Sequence, residues 1–73
     1  MFDPKIFGQR LFSLRKQKIG VTQADIADLL EVTPTQISDM ENGKTATTMA
    51  RLCKLCDYFN VSADYLLGRS DVK

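Results

Sequence analysis

Two helix-start signals, at Thr22 and at Thr33, constrain this chain more than any other feature. Thr22 is followed three residues later by Asp25, and Thr33-Pro34-Thr35-Gln36 puts threonine at an N-cap, proline at the first helical position and glutamine at N3. In each case the threonine oxygen can accept an N–H of the new helix, while the Asp25 or Gln36 side chain reaches back to the cap. Asn42-Gly43 closes the second helix, glycine taking the left-handed position that a helix C-terminus wants. Ile26, Ala27, Leu29 and Leu30 supply the inner face of the first helix; Ile37 and Met40 anchor the second. Only Glu31, Val32 and Thr33 connect them, too little chain for the second helix to run back along the first, so the pair crosses steeply. Ala27 is the small side chain at the approach and Val32 faces inward from the turn. The N-terminal end of the second helix is thereby projected outward.

The rest of the chain reads as helix too. Asp3-Pro4 is an N-cap followed by proline where its missing N–H costs nothing. Phe7, Leu11 and Leu14 then form one apolar stripe, with Arg10, Arg15 and Lys16 off it, and Gly20 stops the helix. After Gly43 a small polar turn, Lys44 to Thr47, leads to a fourth helix capped by Thr47 or Thr48. That helix carries Met49, Leu52, Cys53, Cys56 and Phe59 at helical spacing and ends at Asn60. Ser62 caps a short fifth helix with Tyr65, Leu66 and Leu67, ended by Gly68. Phe12 falls where the helical pattern wants a polar residue, either a surface aromatic or part of a contact with another chain. No β-branched run alternates with period two, so the predicted class is all-α, a bundle of five helices. A chain of 73 residues holds one domain, placed over 1–68 with 69–73 a loose tail, and every helix must contribute apolar surface.

Composition removes several classes of function. There is no histidine, hence neither the commonest general base nor the commonest metal ligand. Cys53 and Cys56 form a lone C-x-x-C inside a helix, two ligands short of a zinc site and without the strand-loop-helix setting of a redox pair. They read as small core or half-buried side chains. No catalytic residue, metal or cofactor is expected, and the chain is read as a non-enzyme. No apolar run approaches the roughly 18–20 residues of a membrane span, and MFDPKIFGQR lacks the order of a secretory signal, which points to the cytoplasm.

The net charge of +1 conceals a segregated distribution. Residues 1–23 carry Lys5, Arg10, Arg15, Lys16 and Lys18 against Asp3, a balance of +4. Residues 24–43 carry Asp25, Asp28, Glu31, Asp39 and Glu41 with no base, a balance of −5. Residues 44–73 carry Lys44, Arg51, Lys54, Arg69 and Lys73 against Asp57, Asp64 and Asp71, a balance of +2.

The stretch TQADIADLLEVTPTQISDMENGK resembles the phage-repressor and Cro-type helix-turn-helix family, also called the XRE family. The match covers the T-Q opening, the central alanine, the L-L-x-V turn, the I-S of the second helix and the E-N-G-K close. FGQRLFSLR is similar to the family's first helix and FNVSADYLL to its end, so the resemblance spans about residues 5–68. It implies a lambda-repressor-like fold with its helix-turn-helix proper at 22–43 and residues 33–41 as a recognition helix in the major groove of double-stranded DNA. It also implies a nucleoid-associated transcriptional regulator, a repressor, dimeric on a pseudo-palindromic operator with half-sites about 34 Å apart.

Roles follow from the resemblance residue by residue. Gln23 matches a position that touches a phosphate, where free N–H groups of a helix N-terminus assist. Pro34, Thr35, Gln36, Ser38 and Asp39 fall on the exposed face of the recognition helix. Gln36 suits adenine N6 and N7, although it is also the capping residue of its own helix; Thr35 suits a thymine methyl or a phosphate, and Ser38 either kind of group. Asp39 can accept from a cytosine N4 but is a cost beside phosphates. Lys44 and Thr45 match backbone contacts. Pro34 stands where some relatives have a base-reading glutamine, and the recognition helix lacks any lysine or arginine. Phosphate affinity then falls to Arg10, Lys16, Lys18 and Lys44, with Lys5 and Arg51 as further bases. Arg15 and Glu41 match an ion pair tying the first helix to the third, and one extra residue in the Lys16–Gly20 turn leaves Arg15 or Lys16 as Glu41's partner. The dimer surface is expected around Tyr65, Leu66 and Leu67, which cannot all be buried in so small a body. The alternative is a protein-interaction module such as an antitoxin, its acidic 24–43 stretch facing a basic partner.

Overall fold

In the computed structural model, which describes residues 1–73, the chain forms α1 (Pro4–Gln17), α2 (Gln23–Leu30), α3 (Pro34–Glu41), α4 (Met49–Phe59) and α5 (Ala63–Leu66), with no strand. Each helix starts at a cap marked in the sequence: Asp3, Thr22, Thr33, Thr48 and Ser62. Both capping boxes close. Asp25 N–H donates to Thr22 Oγ1 at 3.2 Å while Thr22 N–H donates to Asp25 Oδ2 at 2.8 Å. The α3 box matches it, Gln36 N–H to Thr33 Oγ1 at 3.2 Å and Thr33 N–H to Gln36 Oε1 at 3.0 Å. Helix α2 ends on Glu31 in the left-handed conformation, φ 58°, a position with no glycine to announce it and a cost of roughly 1–2 kcal/mol.

Helix α1 packs against α3 and α5, and α2 packs against α3 and α4. Phe7, Leu11 and Leu14 meet Ile26, Ala27, Leu30, Ile37 and Met40, and Leu55, Val61 and Leu66 complete the core. The α4 face is rotated from the one read in the sequence. Leu55 is fully buried, whereas Met49 is 82% exposed and Cys53 lies on the surface. Leu52, Cys56 and Phe59 are half-buried against the core. The real stripe is thus Leu52, Leu55, Cys56 and Phe59, at i, i+3, i+4 and i+7. Two overlapping apolar stripes compete on this helix, and packing selects the second.

Gly8 marks the tightest approach between α1 and α3. A Cβ built there would clash with the Met40 carbonyl oxygen and come within 2.7 Å of that of Glu41. Gly8→Ala should therefore destabilise by about 1–3 kcal/mol, despite alanine's helix advantage of about 1 kcal/mol. Urea unfolding measures this; equal or greater stability would show that the two helices separate freely.

Residues 69–73 do not hang loose. Ser62 N–H donates to the Lys73 carbonyl at 2.9 Å, and the Ser62 hydroxyl to that of Val72 at 3.3 Å. Arg10 donates to the carbonyls of Tyr65 and Ser70 and to Asp71 Oδ1 at 2.8 Å, with its guanidinium 4.4 Å from the Tyr65 ring centre. Individual hydrogen bonds, not a repeating apolar pattern, hold the segment. No helix is long and apolar enough to cross a membrane.

Candidate nucleic-acid interface

Ile37, fully buried, and Met40 fix the inner side of α3, so its first turn faces solvent. Pro34, Thr35 and Gln36 are exposed, and Ser38 and Asp39 half-buried. Gln36 combines two functions: its Oε1 accepts the Thr33 N–H, and its amide nitrogen makes no bond within the chain. Asn42 Nδ2 donates to Ser38 Oγ at 3.4 Å. Lys44 and Thr45 follow directly, both exposed, with their side chains unengaged. Lys44 N–H donates to the Asp39 carbonyl at 2.9 Å, tying this segment to the end of α3.

Behind the exposed turn lies a buried polar network. Arg15 Nε donates to Glu41 Oε2 at 2.6 Å and its Nη2 to Glu41 Oε1 at 3.0 Å, the forked geometry of a strong arginine–carboxylate pair. Their side chains are only 8% and 4% exposed. Hydrogen bonding to Glu41 raises the Arg15 guanidinium above its already high ordinary value, against desolvation by burial, so the guanidinium stays charged. Glu41's partner is thus Arg15; Lys16 is exposed with its ammonium 5.6 Å from the Phe12 ring centre. Gln23 Nε2 also donates to Glu41 Oε1, at 2.9 Å, so one carboxylate gathers α1, the start of α2 and the end of α3.

Other expected positions separate from this face. Arg10, counted above among the phosphate-contacting bases, is engaged by α5 and the C-terminal segment, because three oxygens converge on its guanidinium there. Lys18 reaches the Tyr58 carbonyl at 3.4 Å. Leu66, named for the dimer surface, is fully buried, while Tyr65 and Leu67 stay partly open. Burial pushes the Cys56 thiol up, with Cys53 and Asp57 adding to the rise, the opposite of what a reactive thiolate needs. The sequence reading passed over Gly8, the Gln23–Glu41 bond and the anchoring of Arg51, whose Nε donates to the Leu30 carbonyl at 3.2 Å. For Gly8 a signal existed: a glycine inside a strong helical pattern marks a packing need.

With the capped α3 following α2 across a short turn and offering its first turn to solvent, the helix-turn-helix family model matches residues 11–66. The chain belongs to the phage-repressor and Cro-type helix-turn-helix family. This helix-turn-helix domain is 38% identical over 65 residues to the HTH-type transcriptional regulator ImmR of Bacillus subtilis (strain 168), covering 89% of this chain and 50% of the relative. It is also 38% identical over 61 residues to the cryptic phage CTXphi transcriptional repressor RstR of Vibrio cholerae, covering 84% and 54%. The chain therefore spans about half the length of these curated relatives. The P22 c2 repressor, solved in complex with synthetic operator 9T, superposes with a TM-score of 0.78 at 28% identity, over 88% of this chain and 96% of that one. All three of these relatives are named as transcriptional regulators or repressors, and α2 and α3 are the helix pair of this chain's helix-turn-helix.

Proposed function

We propose that this helix-turn-helix domain reads double-stranded DNA sequence-specifically with α3 in the major groove, as part of a transcriptional repressor that binds an inverted repeat as a dimer. The observation that carries this is the exposed first turn of α3 followed by the unengaged Lys44 and Thr45, all held on the buried Arg15–Glu41–Gln23 network. Thr35, Gln36, Ser38 and Asp39 read base edges; Gln23, Lys16, Lys44 and Thr45 meet the backbone. Gln23 has two amide hydrogens, so one can stay on Glu41 while the other meets a phosphate. The absence of arginine from α3 makes its readout depend on amide, hydroxyl and carboxylate groups, hence on short contacts. For the dimer, the exposed Phe2 and Met49 and the partly open Leu67 line an apolar groove of about 360 Å³ beside α5.

Selection from a random duplex library at two salt concentrations tests the whole reading. The expected product is an inverted repeat with half-sites about one helical turn apart. Gln36→Ala should then relax preference at one base pair and cost about 1–3 kcal/mol on the selected site alone. Equal weakening on a scrambled duplex would remove Gln36 from the base-reading set. Recovery of unenriched sequence would instead favour the exposed acids Asp25, Asp28 and Glu31 as a face for a basic protein partner.

A further inference from the structure

We propose that Arg51 is a pre-set grip for one backbone phosphodiester, held in the cleft between α3 and the segment 45–48. The inference rests on the DNA-binding reading above and gives Arg51, in the sequence only a further base, a defined contact. Arg51 stands on the first turn of α4, and its Nε donates to the Leu30 carbonyl at 3.2 Å, at the C-terminal end of α2. That bond fixes the guanidinium plane. Its two terminal nitrogens make no hydrogen bond or ion pair within the chain, and no buried side-chain polar atom lacks a partner, so both are open to solvent.

These nitrogens belong to a residue that lines a cleft of about 520 Å³ together with Gln36 and Asp39 of α3 and the hydroxyl-bearing Thr45, Thr47 and Thr48. A forked pair of N–H donors beside three hydroxyls suits a doubly oxygenated anion, and the geometry of arginine suits phosphate. The side chain is already tied to the Leu30 carbonyl, so less rotamer freedom is left to lose on binding. The wall formed by Gln36 and Asp39 places the cleft at the flank of the recognition helix. With α3 in the major groove, that flank faces the groove edge, where a strand backbone runs. Asp39 shares the cleft but is not within ion-pair distance of Arg51, so its carboxylate opposes the anion rather than neutralising the guanidinium.

The test measures duplex affinity against salt concentration, on the selected duplex and a scrambled one of equal length, for the wild type, Arg51→Gln and Arg51→Lys. Arg51→Gln should weaken both duplexes alike, on the order of tenfold, and lower the salt slope by about 0.9. Arg51→Lys keeps the charge but not the fork, and should keep the slope while recovering only part of the affinity. Thermal unfolding of each variant is read alongside. A folded Arg51→Gln with unchanged affinity and slope overturns the proposal and leaves Arg51 as a tie to α2. If Arg51→Gln does not fold, Arg51→Lys decides: it should weaken both duplexes several-fold at unchanged slope, and unchanged affinity overturns the forked grip. A wild type that binds neither duplex removes the DNA-binding reading itself, an outcome distinct from both.

Discussion

Glu41→Ala should lower the unfolding free energy by about 3–5 kcal/mol, measured by urea unfolding. The substitution leaves the Arg15 guanidinium buried with Nε and Nη2 unpartnered, and it also takes the acceptor from Gln23. A domain of this size has only about 4–11 kcal/mol in total, so roughly a quarter or more of it disappears with one carboxylate. Arg15→Ala should behave alike. The pair joins α1 to α3, and its loss frees the angle at which α3 is presented. Replacing both partners, Arg15→Met with Glu41→Leu, should recover most of the stability, because a buried pair's attraction barely exceeds the desolvation of its two ions. A single-variant cost below about 1 kcal/mol would mean that the pair is hydrated in solution.

Leu55→Ala should cost about 2–5 kcal/mol by the same measurement. Leu55 is fully buried, and truncation leaves a cavity that helices joined by short turns cannot close. Met49→Ala, on the same helix, should stay within about 0.5 kcal/mol, since Met49 is 82% exposed. The contrast tests the orientation of α4 directly. Comparable losses at both positions would show α4 turned toward the stripe that begins at Met49.

What was legible in the sequence is what depends on neighbours along the chain. An N-cap needs only a side-chain oxygen two or three residues from a free N–H, so Asp3, Thr22, Thr33 and Ser62 placed their helices unaided, and Gly43 and Asn60 their stops. Amphipathic spacing placed Phe7, Leu11, Leu14, Ile26, Ile37 and Met40 in the core for the same reason. The exposed face of α3 followed from its two buried anchors, Ile37 and Met40.

Tertiary structure decided whatever depends on a partner distant in the chain. Arg15 and Lys16 are adjacent and equally basic, and only the crossing of α1 on α3 aims the first at Glu41. Arg10 and Arg51 carry the same charge in the sequence. Folding closes Arg10 on Tyr65, Ser70 and Asp71, and leaves the tip of Arg51 open in a cleft. Met49 and Leu55 are both apolar residues of α4, separated by how that helix is rotated against its neighbours. The physical reason is common to all three: local hydrogen bonding and periodicity fix where a helix lies along the chain. Its rotation, and hence which charged or apolar side chain is consumed, is set by packing against elements the local sequence does not encode.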